Sequence, residues 1–323
     1  MPALEVREFA EDDVAAAGRL LARRHAAHRR AEPLLPERFE TEAEATAAVA
    51  EWWATDGASG AIAQASGEVT GFVIAASKSA TAWGPNAWVE SAGLATTDAE
   101  TMRDLYSVAA ARWVDEGRTA HYVLVPSHDA ALVDAWFRLG FGLQHVHAIR
   151  PAAPPAAAAS PGGLTIRLAE RGDIPVLAEL EVVLPTHQAA SPVFYGGPSD
   201  TLEECLAEWE ESFEDPDFTT FVAVKDGTVV GSAVGCSIAK SSLHTGLARP
   251  DDAGFLGFAA VLPEARGAGA GRALGEAVQT WIAESGYRAD VTDWRATNLL
   301  SSRTWPRLGY QPTFLRLHRI VGY

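Results

Sequence analysis

Residues 266–272 combine glycine, alanine and arginine in a spacing suited to a phosphate-bearing ligand. The segment reads Arg266-Gly-Ala-Gly-Ala-Gly-Arg272, and it lies between an apolar run typical of a strand and an amphipathic run typical of a helix. Glycine allows close backbone approach and positive φ angles. A helix start offers unpaired N–H groups and a positive dipole end. The segment therefore predicts a pyrophosphate site at a helix N-terminus, with an arginine on each side.

Two common nucleotide motifs do not fit this segment. A Walker loop needs Gly-Lys followed by Ser or Thr, and neither feature is present. A dinucleotide-binding motif counted from Gly269 would place its third glycine where Leu274 stands, and it would follow the first strand of its domain, whereas this loop follows the fourth. The remaining alternative is a glycine-rich turn that only connects strand to helix, and the two flanking arginines disfavour it.

The elements that must position this loop follow one another as β-α-α-β-β-β-α-β-α-β in the second half of the chain. Alternation, turn residues and helical periodicity define them. We expect strands at 218–224, 228–238, 254–262, 289–294 and 313–321, and helices at 269–285 and 298–308. This order predicts a mixed α/β sandwich.

The first half of the chain repeats the pattern of the second. The matched pairs are Leu4–Arg7 with Leu164–Arg167, Asp13 with Asp173, Gly67–Gly71 with Gly227–Gly231, and Trp136–Phe141 with Trp305–Tyr310. Because the matches keep the same order, they predict a tandem duplication. The Pro- and Ala-rich segment 151–163 is typical of an extended linker. We therefore expect domains at 1–150 and 164–323.

Composition excludes several classes of protein. The chain has 323 residues, a formal net charge of −16 and two cysteines, Cys205 and Cys236. The acidic balance disfavours nucleic acid as a partner, and two cysteines are too few for a disulfide scaffold or a structural zinc site. No basic and apolar leader and no long apolar run are present, so we expect no membrane partner and a cytoplasmic location.

The pattern Val261–Gly271 resembles the signature of the GNAT N-acetyltransferase superfamily, Arg/Gln-x-x-Gly-x-Gly/Ala, and residues 298–310 resemble that family's second conserved block. The resemblance covers residues 164–323. It implies an α/β (α+β) fold of two tandem GNAT-like domains, each a mixed, mostly antiparallel sheet flanked by helices. The first of these domains is inferred only through the internal repeat.

The resemblance also implies an activity, that of an acyl-CoA-dependent N-acetyltransferase. Acetyl-CoA would be the cosubstrate, and a primary amine of a small molecule would attack its thioester directly in a ternary complex, with no metal. The residues implied to bind acetyl-CoA are Ala259, Val261, Arg266, Gly267, Ala268, Gly269, Ala270, Gly271, Arg272 and Asn298.

The sequence departs from the family pattern where protons are transferred. Trp305 stands where many members have a Tyr that protonates the leaving thiolate, and an indole cannot do this. Solvent or Tyr310 would have to replace it, although the repeat match predicts a packing role for Tyr310. The expected strand 254–262 has no carboxylate. The candidate catalytic residues are Asp251, Asp252 and Asp293, and the candidate acceptor-binding residues are His187, Phe194 and Tyr195, in a loop after the first helix of this half.

The first half lacks the pyrophosphate loop. Asp98 replaces Arg266, Glu100 follows it, and Asp129 replaces Asn298. Because these carboxylates would repel a polyanion, we expect a degenerate domain without catalysis.

Two other functions remain open from the sequence: a CoA-binding regulator or sensor that has lost catalysis, and a protein N-acetyltransferase. The expected partner is a small-molecule amine, and the chain is expected to be a monomer or homodimer.

Overall fold

The computed structural model describes residues 4–78, 83–155, 163–196 and 200–322. Contacts divide the chain into two compact units. The first unit comprises Met1–His147, Thr245–Asp251 and Pro312–Tyr323, and the second comprises Ala148–His244 and Asp252–Gln311. The domains expected from the sequence are continuous segments, whereas the first unit also takes in two later stretches of the chain. Of the expected linker 151–163, residues 156–162 lie outside the described residues.

The first unit contains most of the elements of the first half. They are β1 (Leu4–Glu8), α1 (Val14–Ala31), α2 (Glu42–Trp53), β2 (Ser59–Ala65), β3 (Glu68–Ala75), β4 (Asn86–Val89), β5 (Leu94–Thr96), α3 (Ala99–Asp115), β6 (Ala120–Pro126), α4 (Ala130–Arg138) and β7 (Gly142–Pro151). Strands β1, β2, β3 and β5 form one sheet in that order.

The second unit contains the elements around the glycine loop. They are β8 (Leu164–Leu168), α5 (Ile174–Ala189), α6 (Leu202–Ser212), β9 (Phe218–Lys225), β10 (Thr228–Ser237), β11 (Ala253–Val261), α7 (Ala270–Glu284), β12 (Ala289–Arg295) and α8 (Ser301–Thr304), and β13 (Gln311–Ile320) follows them in the chain. The sheet order is β12-β11-β10-β9-β8. Only β11 and β12 are parallel among these neighbours, so the mixed, mostly antiparallel sheet and the expected element order are confirmed.

Two helices differ from their expected bounds. Helix α5 continues through Pro185 to Ala189, so His187 lies in a helix and not in the loop after it. Pro185 removes only one helical hydrogen bond, and the residues beyond it keep helical geometry. The expected helix 298–308 is a short α8 followed by a 3-10 turn at Pro306–Leu308, because proline has no N–H to continue the α-helical ladder.

The last strand of the chain belongs to the first unit. Strand β13 pairs antiparallel with β6, from Phe314 opposite Pro126 to Ile320 opposite Ala120. The end of β7, from Ala148, belongs instead to the second unit, where β7 is the neighbour of β12. The two halves therefore exchange their final strands.

Equivalent ion pairs stand at the start of each half. Arg7 donates two hydrogen bonds to Asp13, at 2.7 and 2.6 Å, and Arg167 donates two to Asp173, at 2.6 and 2.9 Å. In both halves the same carboxylate also accepts a backbone N–H three residues earlier. The repeated geometry agrees with the duplication predicted from the sequence.

The core of the second unit is built on the apolar face of α7. Leu274, Val278 and Ile282 are fully buried there, as their helical spacing predicts. A side chain at Gly254 would place its Cβ 2.5 Å from Ile282, so glycine is required for α7 to approach β11 this closely. None of the helices in the described residues has the length and apolar content needed to span a bilayer.

Candidate functional site

Strands β11 and β12 separate after a short parallel pairing. Their register runs from Ala253 opposite Ala289 to Leu256 opposite Thr292, and β11 then continues to Val261 against β10. A bulge between β10 and β11 leaves Gly257 without an opposite residue. The strands therefore open a cleft that begins at Gly257.

Backbone groups of β11 face this cleft. The N–H of Leu262 bonds the Val230 carbonyl at 2.9 Å, toward β10. Because successive residues of a strand alternate in direction, Ala259 and Val261 direct their N–H and C=O groups to the opposite side. Arg266 Nε donates to the Val261 carbonyl at 3.2 Å. The Ala259 groups are therefore the ones placed for a ligand lying along β11.

The glycine loop forms the first turn of α7. Gly267 and Gly269 have φ angles of +83° and +87°, which favour glycine, and the helix begins at Ala270. Gly271 lies inside the first turn, where a Cβ would stand 3.8 Å from Val261 in ordinary contact. The N–H groups of this turn are the unpaired donors that suit an anion.

A cavity of about 370 Å³, here called the loop cavity, lies between this turn, β11, α5 and α8. Its lining residues are Val183, Leu184, His187, Ala259, Ala260, Val261, Ala265, Arg266, Gly267, Gly269, Ala270, Gly271, Arg272, Asn298, Leu300, Ser301, Thr304, Trp305 and Arg307. The lining thus includes every residue expected to bind acetyl-CoA except Ala268, which lies between two of them. It contains three arginines and no carboxylate, which fits a polyanionic ligand.

Asn298 organises the far wall of the loop cavity. Its Oδ1 accepts hydrogen bonds from the N–H groups of Leu300 at 3.1 Å and Ser301 at 3.4 Å, and it lies 3.3 Å from His187 Nε2. These contacts use the oxygen, so the Nδ2 amide remains as the donor that Asn298 can offer a ligand. His187, which we expected to bind the acceptor, lines the loop cavity.

The aromatic residues beside the cavity do not supply an acid. Trp305 lines the loop cavity and is 7% exposed, and its side chain has no ionisable proton near neutral pH. Tyr310 is fully buried, outside the lining of the loop cavity, and its hydroxyl donates to Asp290 Oδ1 at 2.7 Å. Burial raises the Tyr310 pKa well above its usual value. Tyr310 therefore packs in the core, as its match to Phe141 predicts.

A second cavity of about 570 Å³, here called the aromatic cavity, lies between the sheet and helices α5 and α6. Its lining residues are Leu168, Ala169, Glu181, Glu208, Trp209, Ser212, Phe213, Phe218, Thr219, Thr220, Val234, Cys236, Lys240, Phe255, Gly257 and Phe258. Phe258 lines the aromatic cavity and the next residue, Ala259, lines the loop cavity. Consecutive residues of β11 thus line the two cavities, and this point of β11, beyond its separation from β12, is here called their junction.

Asp293 lies one residue beyond the last paired position of β12, beside the start of the cleft. Its Oδ2 lies 3.8 Å from His244 Nδ1, and His244 Nδ1 is 2.8 Å from Ser241 Oγ. The His244 ring packs edge-on against Phe255, which lines the aromatic cavity. Asp293 is thus the expected catalytic residue that the structure places nearest to the junction of the cavities.

The other two expected catalytic residues lie elsewhere. Asp251 belongs to the first unit, where it pairs with Arg38. Asp252 precedes β11, and its carbonyl accepts the N–H groups of Arg288 and Ala289. It is five residues before Gly257, roughly 16 Å along an extended strand. Neither residue lines the loop cavity or the aromatic cavity.

The expected acceptor residues Phe194 and Tyr195 follow α5. The Arg295 guanidinium stacks 3.4 Å from the centre of the Tyr195 ring, and its Nε donates to Gln188 Oε1 at 3.0 Å. Phe194 is 73% exposed. Residues 197–199, the end of the segment expected to form a loop over the acceptor, lie outside the described residues. Arg295 therefore ties this segment to the open end of β12.

Glu181 was not predicted from the sequence as a site residue. It lines the aromatic cavity, and burial raises its pKa, while the adjacent Trp209 opposes part of the shift. A signal was present, because Glu181 stands four residues after Leu177 and three before Leu184, on an otherwise apolar helical stripe. A glutamate on an apolar helix face is uncommon unless its carboxylate pairs with another group.

The equivalent region of the first unit has different chemistry. Asp98 is the residue before α3, and Glu100 in its first turn pairs with Arg103 and Arg138. The buried guanidinium of Arg24 donates to the Leu94 carbonyl at 2.7 Å, and Leu94 pairs with β3 in the register that Ala259 has with β10. No cradle of glycine N–H groups stands at the start of α3 among the described residues, so this unit presents no comparable anion site.

Two solved structures with TM-scores above 0.5 share the fold of this chain. A GCN5-related N-acetyltransferase from Sphaerobacter thermophilus aligns over 99% of this chain and 96% of its own, with a TM-score of 0.57 and 17% identity. A fungal GCN5-related glucosamine N-acetyltransferase region of a multi-domain GH3 beta-N-acetylglucosaminidase aligns over 98% of this chain and 38% of its own, with a TM-score of 0.52 and 15% identity. A tandem GNAT protein from the clavulanic acid biosynthesis pathway aligns over 99% of both chains, with a TM-score of 0.48 and 16% identity.

Sequence comparison locates the family within the chain. No curated protein matches it in sequence. Residues 184–310 match the profile of the acetyltransferase (GNAT) family, and this range contains the glycine loop, β11, β12, α7 and α8. The matched range thus includes both strands that form the cleft and the helix start that lines the loop cavity. Residues 184–310 are therefore a domain of the acetyltransferase (GNAT) family.

Proposed function

We propose that the protein transfers an acetyl group from acetyl-CoA to a primary amine of a small molecule, by direct attack in a ternary complex. The observation that carries the proposal is the loop cavity, where the first turn of α7 and three arginines meet the free edge of β11. A helix start suits the pyrophosphate of CoA, and a strand edge suits its amide-bearing pantetheine arm.

The backbone of β11 would orient the thioester. The N–H of Ala259 faces the cleft, beside the junction of the two cavities, where it can donate to a pantetheine carbonyl or to the oxygen that becomes negative during attack. Asn298 would contribute its Nδ2 donor from the opposite wall. Most of the rate acceleration then comes from holding amine and thioester together in one orientation.

The acceptor would enter through the aromatic cavity and meet the thioester at Gly257–Ala259. The amine nitrogen forms a bond to the thioester carbon, the carbon–sulfur bond breaks, and CoA leaves as the thiolate. We assign Asp293, adjacent to His244, as the group that accepts the amine proton, through water. Solvent protonates the thiolate, because Trp305 cannot.

Direct attack is favoured over a covalent enzyme intermediate by the state of the cysteine beside the site. Cys236 lines the aromatic cavity, is 3% exposed, and has a pKa raised by burial to about 11. A thiol is a poor nucleophile when it stays protonated. Initial rates at varied acetyl-CoA and amine should therefore give intersecting lines, whereas parallel lines would indicate a covalent intermediate.

A thiol-release assay with acetyl-CoA tests the proposal. We expect release with at least one small primary amine from a panel, and equal rates for the wild type and Asp98→Arg, since Asp98 lies in the first unit. Binding of acetyl-CoA without release on any acceptor would instead support a sensor. Release only with peptides or proteins would support a protein N-acetyltransferase.

A further inference from the structure

The aromatic cavity carries negative charge that the protein does not neutralise. Glu181 and Glu208 line it, and no ion pair in the described part of the chain involves either residue. The single cation in the lining, Lys240, pairs with Asp217 and stacks 5.5 Å from the Phe218 ring. Glu208 is exposed to solvent, whereas Glu181 is half-buried, so the missing counter-ion is costly only for the Glu181 carboxylate.

The charged groups that act on Glu181 are both acids, Glu208 and Asp200. Burial raises its pKa, and Glu208 and Asp200 raise it further by repulsion, while Trp209 opposes part of the shift. The Glu181 carboxylate is therefore the acceptor that this wall of the cavity offers to an ammonium group.

The walls between Glu181 and the reaction centre are apolar. Trp209, Phe213, Phe218, Phe255 and Phe258 line the aromatic cavity. Aromatic faces stabilise both methylene groups and cations. At the outer end, Glu208 and Ser212 are shared with a shallower cavity that is also lined by Glu211, Glu214 and Asp215. The cavity therefore suits a ligand with an apolar body and positive charge.

A nitrogen that Glu181 holds as an ammonium ion is not the nitrogen that attacks the thioester. Attack on a thioester requires a neutral amine, whereas pairing with a carboxylate keeps an amine protonated. On α5, Glu181 lines the aromatic cavity and Leu184 lines the loop cavity, three residues or roughly 4.5 Å further along the helix axis. Binding at Glu181 and reaction at β11 therefore need two separate nitrogens.

We propose that the acceptor is a diamine, with one amino group held as an ammonium by Glu181 and the other acetylated at Gly257–Ala259. This inference rests on the proposed function. Glu181 acts as a specificity determinant, and the methylene chain between the two nitrogens lies against the aromatic rings.

The test compares linear α,ω-diamines with n-alkylamines of equal length. Thiol release is measured with saturating acetyl-CoA, and binding of 1,4-diaminobutane to the CoA-loaded protein is measured by calorimetry. We expect kcat/KM for the best diamine to exceed that of the matched monoamine at least tenfold. Glu181→Gln should remove this ratio by raising KM for the diamine.

Glu179→Gln is the matched control, because it makes the same charge change on an exposed position of the same helix, outside both cavities. It should keep the ratio. Glu208→Gln should lower the ratio as well, which provides a second variant if Glu181→Gln folds poorly. A wild-type ratio near one, or an unchanged ratio in Glu181→Gln, would overturn the inference while acyl transfer stands.

If no amine gives thiol release, the proposed function is contradicted. The calorimetric titration of 1,4-diaminobutane then tests the Glu181 site independently of catalysis. Binding of 1,4-diaminobutane that is lost in Glu181→Gln and kept in Glu179→Gln supports the Glu181 site. Equal binding to both variants, or no binding to the wild type, overturns it.

Discussion

His187 Nε2 lies 3.3 Å from Asn298 Oδ1, which joins α5 to the start of α8 across the loop cavity. The same oxygen accepts the N–H groups of Leu300 and Ser301, so one amide both caps a helix and faces the ligand site. In the first unit, Asp129 caps α4, since its Oδ1 accepts the Leu132 N–H at 3.0 Å, but its carboxylate has no N–H to donate. Asn298 and Asp129 therefore differ in one feature that matters for a ligand: only Asn298 has an Nδ2 amide donor.

Asn298→Asp should therefore weaken acetyl-CoA binding without unfolding the protein. The carboxylate can still cap α8, as Asp129 caps α4, but it removes the Nδ2 donor and adds negative charge near a polyanion. We expect a 10- to 100-fold loss of affinity, equivalent to about 1.4–2.8 kcal/mol, with little change in Tm. Asn298→Ala should lower Tm as well, because the cap is lost. Unchanged affinity in Asn298→Asp would show that the amide does not contact the ligand.

Asp293→Asn should lower kcat on the order of 100-fold, because it removes the group assigned to accept the amine proton. Acetyl-CoA affinity should stay the same, since Asp293 does not line the loop cavity. Asp252→Asn provides the comparison, as the Asp252 side chain is exposed before β11. A similar loss of kcat in both variants, or none in Asp293→Asn, would argue against the assignment.

Asp290 should make stability depend on pH. Its side chain is fully buried, and burial raises its pKa from an ordinary value of 3.8 to about 7, although Tyr310 and Arg150 oppose the shift. Between about pH 4 and pH 7 the folded state then binds more protons than the unfolded state, so this residue's contribution to the unfolding free energy falls as pH rises. The slope approaches about 1.4 kcal/mol per pH unit.

The Asp290 contribution is best measured as the difference between the wild type and Asp290→Asn. Buried His25 and His28 have pKa values lowered to about 4 and about 2, so they stabilise the fold as pH rises toward 6.5 and would mask the effect. The wild type minus variant difference should decline from pH 4 to pH 7 in denaturant titrations. A difference independent of pH would contradict the Asp290 assignment.

Local patterns predicted the strand and the helix start on either side of the glycine loop. The alternating glycines Gly267, Gly269 and Gly271 determine the backbone geometry of the loop. The adjacent strand and helix are strongly periodic in sequence, so they too are determined by residues close in the chain. Glu181 was missed because its environment comes from α6 and the sheet, which are distant in sequence. His187 was expected near the acceptor because α5 was thought to end before it.

The exchange of β7 and β13 could not be predicted from the sequence. Both strands follow a similar Leu-Gly-aromatic segment, Leu139–Phe141 in one half and Leu308–Tyr310 in the other. The alternation of polar and apolar residues after each segment indicates a strand, but it does not indicate which neighbouring strand it pairs with. When two halves of a chain share one fold, the sheet of each half can pair with the final strand of either half. Which strand pairs with which sheet therefore depends on the folded chain and not on the local sequence.

Calorimetric titration of acetyl-CoA into the wild type, Gly271→Glu and Gly271→Gln tests the central claim most directly. A side chain fits at Gly271 in the free protein, so neither variant should disturb the fold. Glu and Gln have nearly the same size, so the two variants differ from each other mainly in charge. We predict one site per chain in the wild type, retained affinity within about tenfold in Gly271→Gln, and no measurable binding in Gly271→Glu. Wild-type affinity in Gly271→Glu, or two sites per chain, would contradict a single pyrophosphate site at the start of α7.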